Sequence, residues 1–99
     1  MKVYIVGKVT GVPAQDLVRK FDKAKEVIRA YGDEPVSPID NVDADSSWSE
    51  AMKICIPLLI SCDAYYCIDK PHTTAGGMIE VTIAGWLGIE QRNEIYLNF

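Results

Sequence analysis

The stretch DAYYCIDKPHTTAGGMIEVTIAGWLG, residues 63–88, decides the fold. Its first part, Asp63 to Asp69, is a short aromatic and apolar run of strand length. Lys70 to Thr74 reads as a loop. Ala75 to Leu87 then reads as a helix that Gly88 stops, because glycine accepts the left-handed conformation that closes a helix. A strand feeding a helix is one half of a βα unit, and an alternating chain of such units builds a parallel sheet.

The rest of the chain alternates in the same way. Val3 to Val6 is a β-rich run ending at Gly7, the pattern of a strand buried on both faces. KVTGVPAQD follows as a turn carrying Gly11 and Pro13. From Ala14 to Tyr31, apolar residues recur at Leu17, Phe21, Ala24, Val27, Ile28 and Tyr31 while lysines, arginines and acids fill the opposite face. Gly32 ends that helix. Glu34 to Ser37 is a brief second strand closed by Pro38, and IDNVDADSS is a loop. Ser47 caps a helix from Trp48 to Ser61, which Pro57 should kink by removing a backbone donor. Glu94 to Leu97 is expected to form the last strand.

Right-handed crossovers then predict an α/β, flavodoxin-like three-layer sandwich with a four-stranded parallel sheet in the order 2-1-3-4. Residues 1–99 form one domain in this reading. Ligands of such sheets bind beyond the carboxyl ends of the strands where the order reverses. Here that point lies between strands 1 and 3, so the loops GKVTG and DKPHTTAGG flank it.

Composition narrows the function. The 99 residues carry a net charge of −4, which disfavours a nucleic-acid-binding surface. Cys55, Cys62 and Cys67 are odd in number, lack metal spacing and fall in apolar runs, so they read as buried thiols. MKVYIVGKV is too short for the apolar core of a signal peptide, and no apolar run spans a bilayer. A soluble, cytoplasmic protein with no membrane partner is expected. GKVTG is neither a dinucleotide fingerprint nor a Walker loop. Asp40, Asp43 and Asp45 lack calcium-loop spacing and read as a solvated loop, so no metal or other cofactor is expected. His72 is the one histidine and reads as an exposed loop residue; without a second histidine or a serine motif a catalytic triad has no basis.

The acid of the opening stretch is different. Thr73 or Thr74 caps the third helix, leaving unpaired amides beside Gly76 and Gly77, which suits a phosphate or another anion. Glu80 shares a helical face with Ile83, Ala84 and Leu87 and so points inward. An inward carboxylate needs a partner or a proton. Two roles remain open for it: a helix-dipole or backbone-bonded acid, and a reactive group at the switch point. Thr74 serves equally as a plain cap, and Gly76 and Gly77 equally as close-packing residues.

Together, YIVGKVTG at the start, Trp48 and Met52 as W-x-x-x-M, Cys62-Asp63 opening strand 3, and the hydroxyl-x-Gly-x-x-x-Glu turn-helix resemble the nucleoside 2-deoxyribosyltransferase superfamily. The resemblance covers nearly the whole chain and is closest to a small phage- and Bacteroides-type branch of unknown function. It implies that Glu80 is the nucleophile that attacks C1′ of a 2-deoxyribose and displaces the base. It implies a phosphate contact at Thr74 with Gly76 beside it, a strand-1 tyrosine, Tyr4, that holds the glutamate, and a sugar-phosphate loop at Gly7 and Gly11. Lys8 stands where the branch has proline and could touch a phosphate. Asp69 and Lys70 stand where it has Gly-Trp, and Cys55 lies near the place of an acid that assists the leaving base in some relatives. Asp63 or Asp69 could substitute for it; Asp63 opens its strand at the far end, so Asp69, at the carboxyl end, is the expected acid. Homodimers or larger assemblies are implied too. Independently, Ile79, Val81, Ile83 and Trp86 cannot all face one sheet, which predicts a helical dimer interface.

The expected function is therefore an N-glycosidase or deoxyribosyltransferase acting on a 2′-deoxynucleoside or its 5′-monophosphate. The alternatives are a nucleotide or sugar-phosphate binding module without turnover, and a dimeric scaffold with an inert cleft.

Overall fold

The structure, a computed structural model, describes residues 1–43 and 45–97, the side chain of His72 apart. Strands β1 (Lys2–Val6), β2 (Glu34–Val36), β3 (Ala64–Cys67) and β4 (Glu90–Gln91) alternate with helices α1 (Ala14–Ala30), α2 (Trp48–Ile60) and α3 (Ala75–Leu87). A short helix α4 (Asn93–Tyr96) follows the last strand. The sheet runs β2-β1-β3-β4 and every pairing is parallel, as the alternation requires.

The pleat of two strands sorts the core into two halves. Val3 and Ile5 of β1, with Ala64 of β3, meet Phe21, Ala24, Val27 and Ile28 of α1. Tyr4 and Val6, with Tyr65 and Cys67, meet Cys55 and Leu59 of α2 and Ala84 of α3. Helices thus cover both faces of the sheet, and the central strands read as continuous apolar runs.

Local chemistry sets the helix ends. Ser47 and Glu50 form a reciprocal capping box at the start of α2, with bonds of 3.1 and 3.2 Å. Gly88 ends α3 at φ +70°. Pro57 lies inside a continuous α2, where it withholds an N–H from the ladder.

The chain end departs from the expected strand at 94–97. After Gly88 the chain turns straight back, since Ile89 N–H reaches the Ala84 carbonyl at 2.9 Å, and the strand is over by Gln91. The apolar spacing of Ile95 and Tyr96 belongs to α4 instead. Tyr96 packs into the α1-side core, edge-on to Tyr66 at 5.0 Å, and its hydroxyl donates to Asp33 at 2.8 Å. Four residues of mixed pattern cannot distinguish strand from helix; burial of one tyrosine decides it. The open edge of β3 is closed by a side chain. The Asn93 amide accepts from Cys67 N–H at 2.9 Å and donates to its carbonyl at 2.8 Å, standing in for a strand.

Asn93→Ala leaves both Cys67 backbone groups without these partners. The expected loss is about 1–3 kcal/mol in urea unfolding, with the slope unchanged.

Candidate functional site

The face of β1 that α2 and α3 cover carries a tyrosine amid apolar residues. Tyr4 is almost fully buried, and its hydroxyl donates to Oε2 of Glu80, on α3. Glu80 is itself 7% exposed. Strand alternation turns Tyr4 toward α3, and the helical face of Ala84 turns Glu80 back toward Tyr4.

Burial pushes the Glu80 carboxyl up to about 7, against the pull of the Tyr4 hydrogen bond. The Tyr4 phenol is driven far above its ordinary value, first by burial and then by the adjacent Glu80 charge, so it remains a hydrogen-bond donor. Two thiols border the pair. Cys55 of α2 is raised by burial, interacts with the Tyr4 hydroxyl and feels the Glu80 charge. Cys67 of β3 is raised by burial too, with the Gln91 amide 3.8 Å from its sulfur. All three cysteines are free and buried.

The start of α3 stands at the carboxyl edge of the sheet, where a helix following a parallel strand must begin. Pro71–Thr73 forms a 3-10 turn, and Thr74 is the cap: its hydroxyl accepts from Gly77 N–H at 3.0 Å. A Cβ at Gly77 would lie 2.7 Å from the Pro71 carbonyl oxygen and 2.8 Å from the Thr74 hydroxyl, so this cap requires glycine. The amides of Ala75 and Gly76 precede the first intrahelical bond, from Met78 N–H to Thr74 O. Gly76 faces α2. A Cβ there would meet Met52 Sδ at 3.3 Å and the Trp48 indole nitrogen at 3.6 Å.

The other expected residues sort differently. Gly7 is a packing glycine, since a Cβ would lie 2.7 Å from Ile68 Cγ1 and 3.1 Å from Phe21. Gly11 sits at φ +81° with open space around it, a turn glycine. Lys8 contributes its backbone: its N–H donates to Asp69 Oδ2 at 2.7 Å. The Lys20 ammonium pairs with the same oxygen. Burial alone would raise the Asp69 carboxyl, but Lys20 and the Lys8 amide outweigh it and hold it below its usual range. Asp69 therefore ties the loop after β1 to the loop after β3 as an anion, and the group that touches Glu80 is Tyr4. The expected exposure of His72 lies outside the described residues.

Four neighbours escaped the sequence. Lys20 had no signal, being one more charge on the solvated face of α1. The Cys55 contact with Tyr4 had none either. Trp48 and Met52 were legible as one helical face, yet their facing Gly76 depends on how α2 and α3 pack. Two surface hollows lie away from Glu80: one of about 310 Å³ on α3 beside Val81, Thr82, Gly85 and Trp86, and one of about 280 Å³ beside Lys20, Lys23, Tyr66 and Ile68. Among the described residues no helix is long and apolar enough to cross a membrane.

The structure thus defines a parallel α/β protein with a buried tyrosine–glutamate pair beneath a helix N-terminus. The chain belongs to the family described as Domain of unknown function (DUF4406), which it matches over residues 1–91. Neither the curated proteins nor the solved structures include a match to it.

The raised Glu80 carboxyl links stability to pH. Between its ordinary value of 4.5 and about 7 the folded chain binds more proton than the unfolded chain, so stability falls as pH rises through that window. Glu80→Gln removes this dependence. Thermal unfolding from pH 4.5 to 8 should show the variant gaining on the parent by on the order of 3 kcal/mol. Parallel curves would mean an ordinary carboxyl.

Proposed function

We propose that the chain is an N-glycosidase or deoxyribosyltransferase that cleaves the N-glycosidic bond of a 2′-deoxynucleoside or its 5′-monophosphate, with Glu80 as nucleophile. The observation that carries this reading is the buried Tyr4–Glu80 hydrogen bond between the central strand and the helix that begins at the carboxyl edge of the sheet. The resemblance to the nucleoside 2-deoxyribosyltransferase superfamily supports it, because the two residues it implies are in contact. Both also lie within the matched family region.

In this reading Tyr4 holds Oε2 and the other carboxylate oxygen attacks C1′. The Glu80–C1′ bond forms as the C1′–N bond breaks, and the electron pair leaves with the base, which takes a proton from solvent. Water, or a nitrogen of a second base, then attacks C1′; the ester bond breaks and the carboxylate returns, with the attacking group's proton passing to solvent. A 5′-phosphate would take the Ala75 and Gly76 amides, the Thr74 hydroxyl and the positive end of α3. Asp69, held ionised by Lys20, would anchor the loops around the sugar and give up no proton.

Base release, followed chromatographically over the 2′-deoxynucleosides and their 5′-monophosphates, should be abolished by Glu80→Ala. An acceptor base in the mixture distinguishes transfer from hydrolysis. kcat/KM should rise with pH and level off above about 7, where Glu80 is ionised. Tyr4→Phe removes the bond that favours the carboxylate, so its ascending limb should move to higher pH and its maximum should fall by about 10-fold or more. No release from any substrate would sink the enzyme reading.

One observation favours the binding module instead: Cys55, a neutral buried thiol, is the group from α2 beside the pair, and it supplies no acid for the leaving base. The inert scaffold draws on the hollows lying away from Glu80. Nucleotide binding by calorimetry without base release would leave the former, and neither would leave the latter.

The same reading includes a homodimer. The outward stripe of α3, Met78, Ile79, Thr82, Gly85 and Trp86, carries no charge, and Trp86 is 86% exposed. Gly85 has nothing within 4 Å of a Cβ and adjoins the hollow beside Trp86. An uncharged apolar patch with a protruding tryptophan suits a two-fold pairing of two copies, in which the same patch meets itself. Val81 and Ile83, also expected at this interface, are partly buried against the core, and Val81 borders the same hollow. Sedimentation velocity should find a dimer that Trp86→Glu converts to monomer; a monomeric parent at tens of micromolar would overturn the pairing.

A further inference from the structure

Helices α2 and α3 each follow a strand of the parallel sheet, so both begin at its carboxyl edge. Trp48 is the first residue of α2 and is 52% exposed. Its inner edge and the Met52 thioether lie against Gly76, 3.6 and 3.3 Å from where a Cβ would stand. Gly76 and Glu80 are one turn apart on α3, and Met52 and Cys55 one turn apart on α2. The two helices therefore descend together from Trp48, Met52 and Gly76 to the Cys55, Tyr4 and Glu80 group.

We infer that Trp48, backed by Met52, is the surface that takes the planar base of the ligand while its sugar lies against Glu80. This rests on the glycosidic reading of Glu80 and adds the residue that selects for the base. The wall formed by Trp48, Met52 and Gly76 carries no charged group, which suits a neutral heteroaromatic ring. An indole face offers stacking, and a flexible thioether adapts beneath it. Glycine at 76 permits the approach, since a side chain there would push on Met52. Trp48 is also separate from Trp86, which lies at the other end of α3 from Gly76.

The test uses two properties of the chain: it has two tryptophans, and Trp86 is remote from the site. In Trp86→Phe, Trp48 alone reports by fluorescence. With Glu80→Gln added to prevent turnover, the probes are the four 2′-deoxynucleoside 5′-monophosphates and base-free 2-deoxyribose 5-phosphate. At least one nucleotide should change the Trp48 emission, and the sugar phosphate should not. By calorimetry in the Glu80→Gln chain, Trp48→Leu should weaken that nucleotide by about 10-fold or more, Trp48→Phe should keep most of the affinity, and neither should alter the sugar phosphate. Unchanged nucleotide affinity in Trp48→Leu would overturn the inference, even if base release still depended on Glu80. Equal weakening of the sugar phosphate, or loss of self-association in sedimentation, would overturn it as well, by making Trp48 a structural or interface residue. Should no nucleotide bind and none be cleaved by the parent chain, the glycosidic reading and the inference would fall together.

Discussion

A phenol from the central strand and a carboxyl from the last long helix share one buried hydrogen bond, and the layout of the sheet's α2 and α3 face follows from satisfying it. Both groups are surrounded by apolar or weakly polar side chains: Val6, Leu59, Cys55, Cys67 and Ala84. Deprived of its partner, either would be a polar group stranded in the core. The bond therefore restricts how α3 can rotate and slide on β1. The glycine-dependent cap at Thr74 and Gly77 and the left-handed stop at Gly88 hold the two ends of that helix in the same register.

Two carboxyls, one in the loop after β3 and one within α3, end in opposite electrostatic states. Asp69 has a lysine and a backbone amide, which together overcome its partial burial and keep it ionised. Glu80 has, among the described residues, a neutral hydroxyl as its partner against deeper burial, and its proton is held up to about 7. Environments that drive two acids apart divide their work. Asp69 ties two loops together, while Glu80 is a carboxyl that can change charge near neutral pH.

Helix α3 carries an acid and several apolar residues on 13 positions with no other charge. One face completes the core around Glu80, and another is left apolar toward the outside. That combination made its direction ambiguous in the sequence: Val81 and Ile83 had equal claims to an interface and to the core, and packing buries each of them in part. At the chain end, Ile95 and Tyr96 read as a strand because a four-residue run holds no period to tell the two structures apart. The Asn93 amide, which closes the edge of β3, has no local signature at all.

The sequence by itself determined the alternation of elements, and hence the parallel sheet and its order, because periodicity and stop residues are local properties of the chain. It also marked Glu80 as inward, since a helical face is readable from spacing alone, and Thr73 or Thr74 as a cap. Only the tertiary structure decided what Glu80 meets. Tyr4 is 76 positions away in the chain, and no spacing rule spans such a distance. The same holds for Lys20 on Asp69, 49 positions apart, and for Trp48 and Met52 against Gly76. The raised state of Glu80 is likewise tertiary, because desolvation comes from whatever folds over a group and is invisible in the residues beside it.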